Sequence, residues 1–246
     1  MGTSKSFSDT RHAMMPNWGD LSSSITSSCD SSSLSVEKKN RILKNYVAVI
    51  GGSKKGGRGG SKIGGRSGIK TAKKIGGFFG SFTSAGNNIR EALEGTGLDN
   101  LQDKSVSDVI NHLIEYCSGS ASTIDEIAAK EATRKLLEEL ISDANDIDDI
   151  GVILTDKFEI ETSQDIIIKY FGYYIYEHLD KWFYEKLIKD KNQLDCNNLF
   201  RQIKDFIFES LRDVQRTYSL QKLDWGSDEA DRLIKNMQED ILTVFE

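Results

Sequence analysis

A run of basic residues and glycines near the start of the chain most constrains its fold. Between Lys38 and Lys74 there are twelve basic residues and no acidic one, and glycine pairs recur from Gly51 to Gly77. This composition is typical of a flexible linker, because it buries too little apolar surface to offset the entropy of ordering the chain. Four apolar residues keep a spacing that leaves open a helix formed on docking: Ile63, Ile69, Ala72 and Ile75.

Charge is divided unequally along the chain. Residues 1–90 carry 15 Lys and Arg against 4 Asp and Glu, a net charge of +11. Residues 91–246 carry 17 against 34, a net charge of −17. This asymmetry predicts a basic amino-terminal arm attached to an acidic body. Such an arm is suited to nucleic acid, to an anionic membrane, to an acidic partner or to the chain's own acidic body.

The first 35 residues are rich in serine and poor in aliphatic side chains. After residue 20 only Leu21, Ile25 and Leu34 add aliphatic bulk, so we expect residues 1–35 to be disordered. The short apolar stretch Met14–Trp18 is the exception. It indicates a docking motif, because a tryptophan in a disordered tail has no core to fill.

Apolar periodicity predicts helices on both sides of the glycine-rich run. Within residues 36–50, the residues Leu43, Tyr46, Val47 and Ile50 follow the i, i+3, i+4, i+7 pattern of an amphipathic helix. From about residue 87 onward, consecutive segments show helical spacing and no hairpin signal. Three of them begin with a capping-box pair: Ser105 with Asp108, Thr123 with Glu126, and Thr162 with Asp165.

These patterns together predict an all-α protein in three parts. Residues 1–35 form a disordered Ser-rich tail that begins Met-Gly-Thr-Ser. Residues 36–86 form a basic Gly/Lys/Arg-rich segment with one short amphipathic helix. Residues 87–246 form an acidic, bundle-like helical domain.

The cysteines and the hydropathy exclude several classes of protein. Cys29, Cys117 and Cys196 are far apart, odd in number and without metal-ligand spacing, so we expect free thiols and no zinc site. No run reaches the roughly 18–20 apolar residues of a membrane span, and the start lacks the apolar core of a secretory signal. We therefore expect a soluble, cytoplasmic protein.

No group of residues is spaced as a catalytic centre. His12, His112 and His178 are isolated, and no Ser-His-Asp set can be nominated. Residues 60–67 approach a phosphate-binding loop, but Arg66 replaces its lysine and the loop lacks the strand–turn–helix context it needs. We therefore expect a non-enzymatic protein that uses no metal and no cofactor.

The first residues, Met1-Gly2-Thr3-Ser4, predict a trimmed amino terminus. Gly2 is small enough for the initiator methionine to be removed, which leaves a glycine amine with a pKa of roughly 7.7–8.0. A sizeable fraction of that amine is uncharged and nucleophilic near neutral pH, which indicates a substrate or adaptor. Met1, Gly2 and Ser6 also satisfy the N-myristoylation pattern, which with the basic run would anchor the protein to a membrane in a eukaryotic cell.

Short motifs throughout the chain point to one known family. They are the Met1–Ser4 start, Pro16, Trp18, the basic glycine-rich block, and, in the helical body, Gly97–Leu101, Thr123–Glu126 and Tyr174–Leu179. Together they resemble QatB, the small component of the bacterial four-gene Qat anti-phage system. The resemblance implies three partners: an ATPase, a QueC-like enzyme and a TatD-like nuclease.

The resemblance also implies a chemical role for the amino terminus. QueC enzymes activate the carboxylate of a deazaguanine with ATP, and ammonia then attacks it. An uncharged glycine amine can replace ammonia, so we hypothesise that the QueC-like partner conjugates mature Gly2 to a deazaguanine. Thr3, Ser4, Pro16 and Trp18 are the candidate recognition residues.

The basic run supports a competing hypothesis, a scaffold that binds nucleic acid and recruits the ATPase or the nuclease. Gly57–Gly60 and its basic surroundings resemble disordered segments that bind phosphates without sequence preference. The candidate contact residues are Lys54, Lys55, Arg58, Lys62, Arg66, Lys70, Lys73 and Lys74.

Overall fold

A computed structural model describes residues 17–53, 65–214, 217–218, 220 and 223–246, except for the side chain of residue 160. The described residues form helices and contain no strand, which confirms the predicted all-α class. No helix in these ranges is long and apolar enough to cross a membrane.

The helices follow one another along the chain as α1 (Trp18–Ser28), α2 (Val36–Val49), α3 (Arg66–Ser84), α4 (Ile89–Glu94), α5 (Val106–Ser118), α6 (Ile124–Ile141), α7 (Ile147–Ile160), α8 (Ser163–Leu179), α9 (Glu185–Asp190), α10 (Gln193–Leu211) and α11 (Asp228–Thr243). A 3₁₀ turn (Leu101–Asp103) precedes α5, and a π-helical turn (Asp180–Tyr184) joins α8 to α9.

Contacts group the described residues into two compact units. Unit 1 combines the residues up to Arg66 with His178–Val214 and Gln238–Glu246, and within it α1 packs on α2 while α9 and α10 pack against the π-helical turn. Unit 2 combines Ser67–Glu177 with Gln215–Met237, and within it α5, α6 and α7 pack against one another and α4 packs on α7. The boundaries that composition places after residues 35 and 86 stay predictions.

The three predicted capping boxes are present. Each pair forms two reciprocal hydrogen bonds: the hydroxyl accepts from the backbone N–H three residues later, and the carboxylate accepts from the backbone N–H of the capping residue. These pairs begin α5, α6 and α8 at Ser105 with Asp108, Thr123 with Glu126, and Thr162 with Asp165. At the start of α6, the Glu126 carboxylate accepts hydrogen bonds from the Ser122 N–H at 2.8 Å, the Ser122 hydroxyl at 2.8 Å and the Thr123 N–H at 2.9 Å. Because these bonds favour its charged form, the pKa of Glu126 falls to about 2.

The predicted disorder of the serine-rich tail is wrong from residue 17 onward. Leu21 and Ile25 lie one turn apart on α1, and both are 0 % exposed. The Ser24 hydroxyl donates to the Leu21 carbonyl at 2.8 Å, and the Ser28 hydroxyl donates to the Ser24 carbonyl at 2.7 Å. The hydroxyls of the serines on the buried face are therefore satisfied by backbone carbonyls of the same helix, and α1 packs on α2 with Leu21 and Ile25 buried.

The predicted flexible linker is also wrong for Arg66–Ser84, which forms α3; the helical alternative holds there. The glycines of α3 make room for an aromatic ring. A Cβ on Gly76 would lie 2.0 Å from the Trp225 ring, and one on Gly80 would lie 2.6 Å from it. The described residues between 36 and 86 thus include two helices, α2 and α3, where one was predicted. Residues 54–64 lie outside the described part.

Candidate functional site

The predicted modification site Gly2 lies outside the described residues, as do the recognition residues Thr3, Ser4 and Pro16. Fifteen residue steps separate Gly2 from Asn17, where the described chain starts. A fully extended chain of that length spans at most about 50 Å. Of the predicted recognition residues, Trp18 is the one that the structure describes, and Asn17 and Trp18 together are called the base of the arm below.

Trp18 packs against two aromatic side chains of unit 1. Its indole stacks on the Phe183 ring, with the centroids 4.9 Å apart and an interplanar angle of 17°, and meets Trp182 edge-on at 5.5 Å and 79°. Trp182 and Phe183 are 3 % and 4 % exposed, and Trp18 is partly exposed. Each aromatic pair of this kind contributes about 0.5–1.5 kcal/mol beyond its buried area. Trp18 therefore packs against buried side chains of unit 1, and the premise that it lies in a disordered tail without a core to pack on is wrong.

Trp182 and Phe183 are neighbours in sequence, yet both are buried. They lie in the π-helical turn Asp180–Tyr184. Hydrogen bonds in such a turn run from residue i to i+5. π-Helical turns are rare in proteins, and those that occur are often found at functional sites. The rotation between neighbouring side chains differs there from that of an α-helix. The sequence carries one signal for these two residues, the aromatic run Trp182–Tyr184.

A fully buried histidine supports Trp182 from within unit 1. The His178 ring stacks on the indole of Trp182, with the centroids 5.0 Å apart and an interplanar angle of 13°. Its Nδ1 lies 2.9 Å from the hydroxyl of Tyr46 on α2, and both side chains are at most 1 % exposed. This burial between the rings of Tyr46 and Trp182 places His178 in the core as a packing residue.

Two further contacts hold the base of the arm. Asn17 adopts the left-handed conformation, with a φ of 69°, which asparagine tolerates better than most residues. Its Nδ2 donates to the carbonyl of Ala48 on α2 at 3.4 Å. The ammonium of Lys186 lies 5.9 Å from the centroid of the Trp18 ring, a cation–π contact that contributes about 0.5–1 kcal/mol at exposed sites. Asn17 and Trp18 are therefore held against unit 1.

The candidate nucleic-acid contacts are divided between described and other residues. Lys54, Lys55, Arg58 and Lys62 lie outside the described residues, whereas Arg66, Lys70, Lys73 and Lys74 lie on α3. Arg66 and Lys70 are exposed, and Lys73 and Lys74 are partly buried.

Lys73 and Lys74 both bind other parts of unit 2. The Lys73 ammonium lies 2.8 Å from the Asp231 carboxylate and donates to the Ser227 carbonyl at 3.1 Å. The Lys74 ammonium donates to the Tyr116 carbonyl at 2.7 Å and lies 5.3 Å from the centroid of its ring. These two lysines therefore stabilise the fold of unit 2. Of the four candidate nucleic-acid contacts that the structure describes, Arg66 and Lys70 are the ones exposed to solvent.

A groove of about 790 Å³ opens in unit 2 beside the start of α8. Phe158, Tyr218 and Trp225 form its aromatic walls, and its size lies in the range of small-molecule sites. The carboxylate of Glu161 in its lining lies 3.1 Å from the Lys169 ammonium. Among the residues that the structure describes, no group of three or more His, Cys, Asp and Glu is placed to hold a metal ion.

The chain matches a known protein family over most of its length. A family model described as Qat anti-phage system associated protein QatB matches residues 56–245, which include α3 to α11. No curated protein and no solved structure matches the chain. The arm and its base at Trp18 precede the matched range.

Proposed function

Because the chain belongs to the QatB family of the Qat anti-phage system, we propose that it acts in defence as a substrate and adaptor, without catalytic activity of its own. The proposed modification is the conjugation of mature Gly2 to a deazaguanine by a QueC-like partner. Membership of the Qat system implies that other Qat proteins are its partners. We include the ATPase and the TatD-like nuclease among these partners.

The base of the arm is the observation that carries this proposal. α1 and α2 pack together from Trp18 onward, so the described residues 17–35 belong to the folded body. Gly2 then reaches at most about 50 Å from Asn17. A substrate needs a free end long enough to enter the cleft of an enzyme, and a body that holds the other end at a known place. The aromatic contacts of Trp18 with Trp182 and Phe183 supply that hold.

The proposed reaction is the formation of an amide. ATP converts the deazaguanine carboxylate to an acyl adenylate, and pyrophosphate leaves. The uncharged Gly2 amine attacks the acyl carbon, AMP leaves, and the nitrogen gives up one proton. With a pKa of roughly 7.7–8.0, about a tenth to a sixth of the amine is uncharged at pH 7. This fraction is enough for attack without a base from the chain itself.

The experiment is a measurement of intact mass, with and without the QueC-like partner, followed by sequencing of the amino-terminal peptide. We expect the first residue to be Gly2 and to gain the mass of the deazaguanine acid less one water, only with the partner present. Gly2→Pro should abolish both conjugation and defence, while the circular dichroism of the protein stays unchanged. Lys5→Gln is the matched control, because it removes the nearest other amine and should leave the modification intact.

Three outcomes would contradict the proposal. An unmodified Gly2 in both samples would remove the conjugation, and defence that survives Gly2→Pro would remove its relevance. An acyl chain on Gly2 would instead indicate a membrane anchor.

The nucleic-acid scaffold is the second candidate function, favoured by the exposure of Arg66 and Lys70 next to a run of basic residues. Replacing Lys54, Lys55, Arg58 and Lys62 together by glutamine should then weaken binding to single-stranded DNA and lower its salt dependence. Lost binding with an unmodified Gly2 would favour the scaffold, and unchanged binding would contradict it. Replacing Lys73 is an unsuitable control, because its ion pair with Asp231 serves the fold.

A further inference from the structure

Two cysteines that are far apart in sequence lie in contact in unit 1. Cys29 caps the carboxyl end of α1, and Cys196 lies in the first turn of α10. Their Sγ atoms are 3.3 Å apart, and both side chains are 0 % exposed. Both are free thiols. Since sulfur atoms in a disulfide are about 2.05 Å apart, a movement of about 1.2 Å would bring them to bonding distance.

Several contacts hold the segment after α1 against α10 and so keep the two thiols opposite each other. Asp30 accepts a hydrogen bond from the Lys191 ammonium at 2.6 Å. The Ser32 carbonyl accepts one from the Asn198 amide at 2.7 Å. The Leu34 N–H donates to the Gln202 side-chain oxygen at 2.8 Å. The closeness of the thiols therefore follows from a pairing along the whole segment.

We propose that Cys29 and Cys196 are an oxidative modification site, at which a two-electron oxidant of the peroxide class makes an intramolecular disulfide. One thiolate attacks hydrogen peroxide, which yields a sulfenic acid and hydroxide. The second thiol attacks the sulfenic sulfur, the S–S bond forms, and water leaves. In total the two thiols lose two hydrogens, and one peroxide becomes two waters.

Burial determines when this bond forms. Desolvation raises the pKa of the Cys29 thiol to about 12, aided by the hydrogen bond with Cys196. The reactive thiolate is therefore scarce at neutral pH while α1 is docked. The reaction proceeds during local opening of α1 or during folding, and redocking then shields the disulfide from reductants. The site is a slow, protected crosslink, in contrast to an exposed peroxide sensor.

The crosslink would join the first segment of unit 1, which ends at Arg66, to its second segment, His178–Val214. Its two cysteines are 167 positions apart, and the helix that it secures begins with Trp18, the base of the arm. A disulfide that closes so long a loop restricts the unfolded chain strongly. Oxidation would therefore keep α1 docked and hold the base of the arm in place. This inference is independent of the modification proposed for Gly2.

The test uses the full-length chain with its third cysteine, Cys117, as an internal control. Cys117 is buried in unit 2 and is a free thiol. The protein is treated with hydrogen peroxide in urea below its unfolding midpoint, so that α1 opens, and the remaining thiols are alkylated. Peptide mapping without reductant should show one species, a Cys29–Cys196 peptide pair that is lighter by two hydrogens, with Cys117 alkylated.

Two variants and one stability measurement sharpen the test. Cys117→Ala should give the same crosslink, and Cys196→Ala should give none within one chain. The oxidised wild type should unfold at a higher urea concentration than the reduced one, and a dithiol reductant should reverse the difference. Three alkylated thiols after opening, a bond to Cys117 or to a second chain, or an unchanged midpoint would each overturn the proposal. If Cys196→Ala does not fold, the wild-type peptide map decides alone.

Discussion

Replacing Gly76 by alanine should displace Trp225 from the face of α3. The new Cβ would lie 2.0 Å from Cη2 and 2.1 Å from Cζ3 of the indole. Carbon atoms without a bond between them pack at about 3.5–4.0 Å. The indole is rigid, so the ring has to move as a whole. The neighbouring Gly77 offers a matched control, because its Cβ would lie 3.5 Å from the Trp225 Cβ, an ordinary contact.

Two opposed effects set the size of the change. Alanine is favoured over glycine inside a helix by about 0.5–1 kcal/mol. Gly77→Ala should therefore stabilise the protein by up to about 1 kcal/mol. In Gly76→Ala the overlap opposes that gain: overpacking costs about 1–3 kcal/mol, and a complete loss of tryptophan packing costs about 3–5 kcal/mol. Because Trp225 is partly exposed, we expect a net loss of about 1–4 kcal/mol, opposite in sign to the control.

Urea unfolding followed by circular dichroism measures both changes. A double-mutant cycle identifies the cause: in a Trp225→Ala background, Gly76→Ala should become stabilising, like Gly77→Ala. Equal midpoints for the two glycine variants would refute the packing argument and support a flexible segment. So would a Gly76→Ala variant that stays destabilising after Trp225 is removed.

Two more predictions concern the base of the arm and a carboxylate of unit 2. Trp18→Ala should lower the free energy of unfolding by about 1–3 kcal/mol and speed proteolysis near Asn17, because it removes the stacking on Phe183. Trp18→Phe should keep most of the stability, and equal rates of proteolysis in the two variants would contradict this. Burial raises the pKa of Glu139, but hydrogen bonds from Lys169 and Tyr173 outweigh it and lower that pKa below its ordinary 4.5. The resulting stabilisation is present above about pH 4.5 and is lost as the pH falls through the lowered pKa. As the pH is lowered below about 4.5, the urea midpoint of Glu139→Gln should therefore decrease less steeply than that of the wild type. The same dependence of the midpoint on pH in both proteins would contradict the assignment.

The sequence alone determined those features that depend on neighbours within one turn of helix. Ser105 with Asp108, and Thr123 with Glu126, predict where α5 and α6 begin, since a capping box needs only residues three apart. The all-α class follows in the same way from apolar spacing. The charge asymmetry is also legible without a fold. The motifs of the helical body that resemble QatB agree with the family match over residues 56–245.

The tertiary structure alone decided the features in which distant segments meet. Serine and glycine content predicts disorder only if no partner is available. Leu21 and Ile25 are buried on α1, which packs on α2. Gly76 lies against the indole of Trp225, which is about 150 positions later in the chain. Trp18 likewise gains its partners from the π-helical turn at Asp180–Tyr184, which no apolar periodicity marks. Composition indicates how much conformational entropy a segment loses when it becomes ordered. The contacts that offset this loss come from distant segments, and only the tertiary structure shows which segments those are.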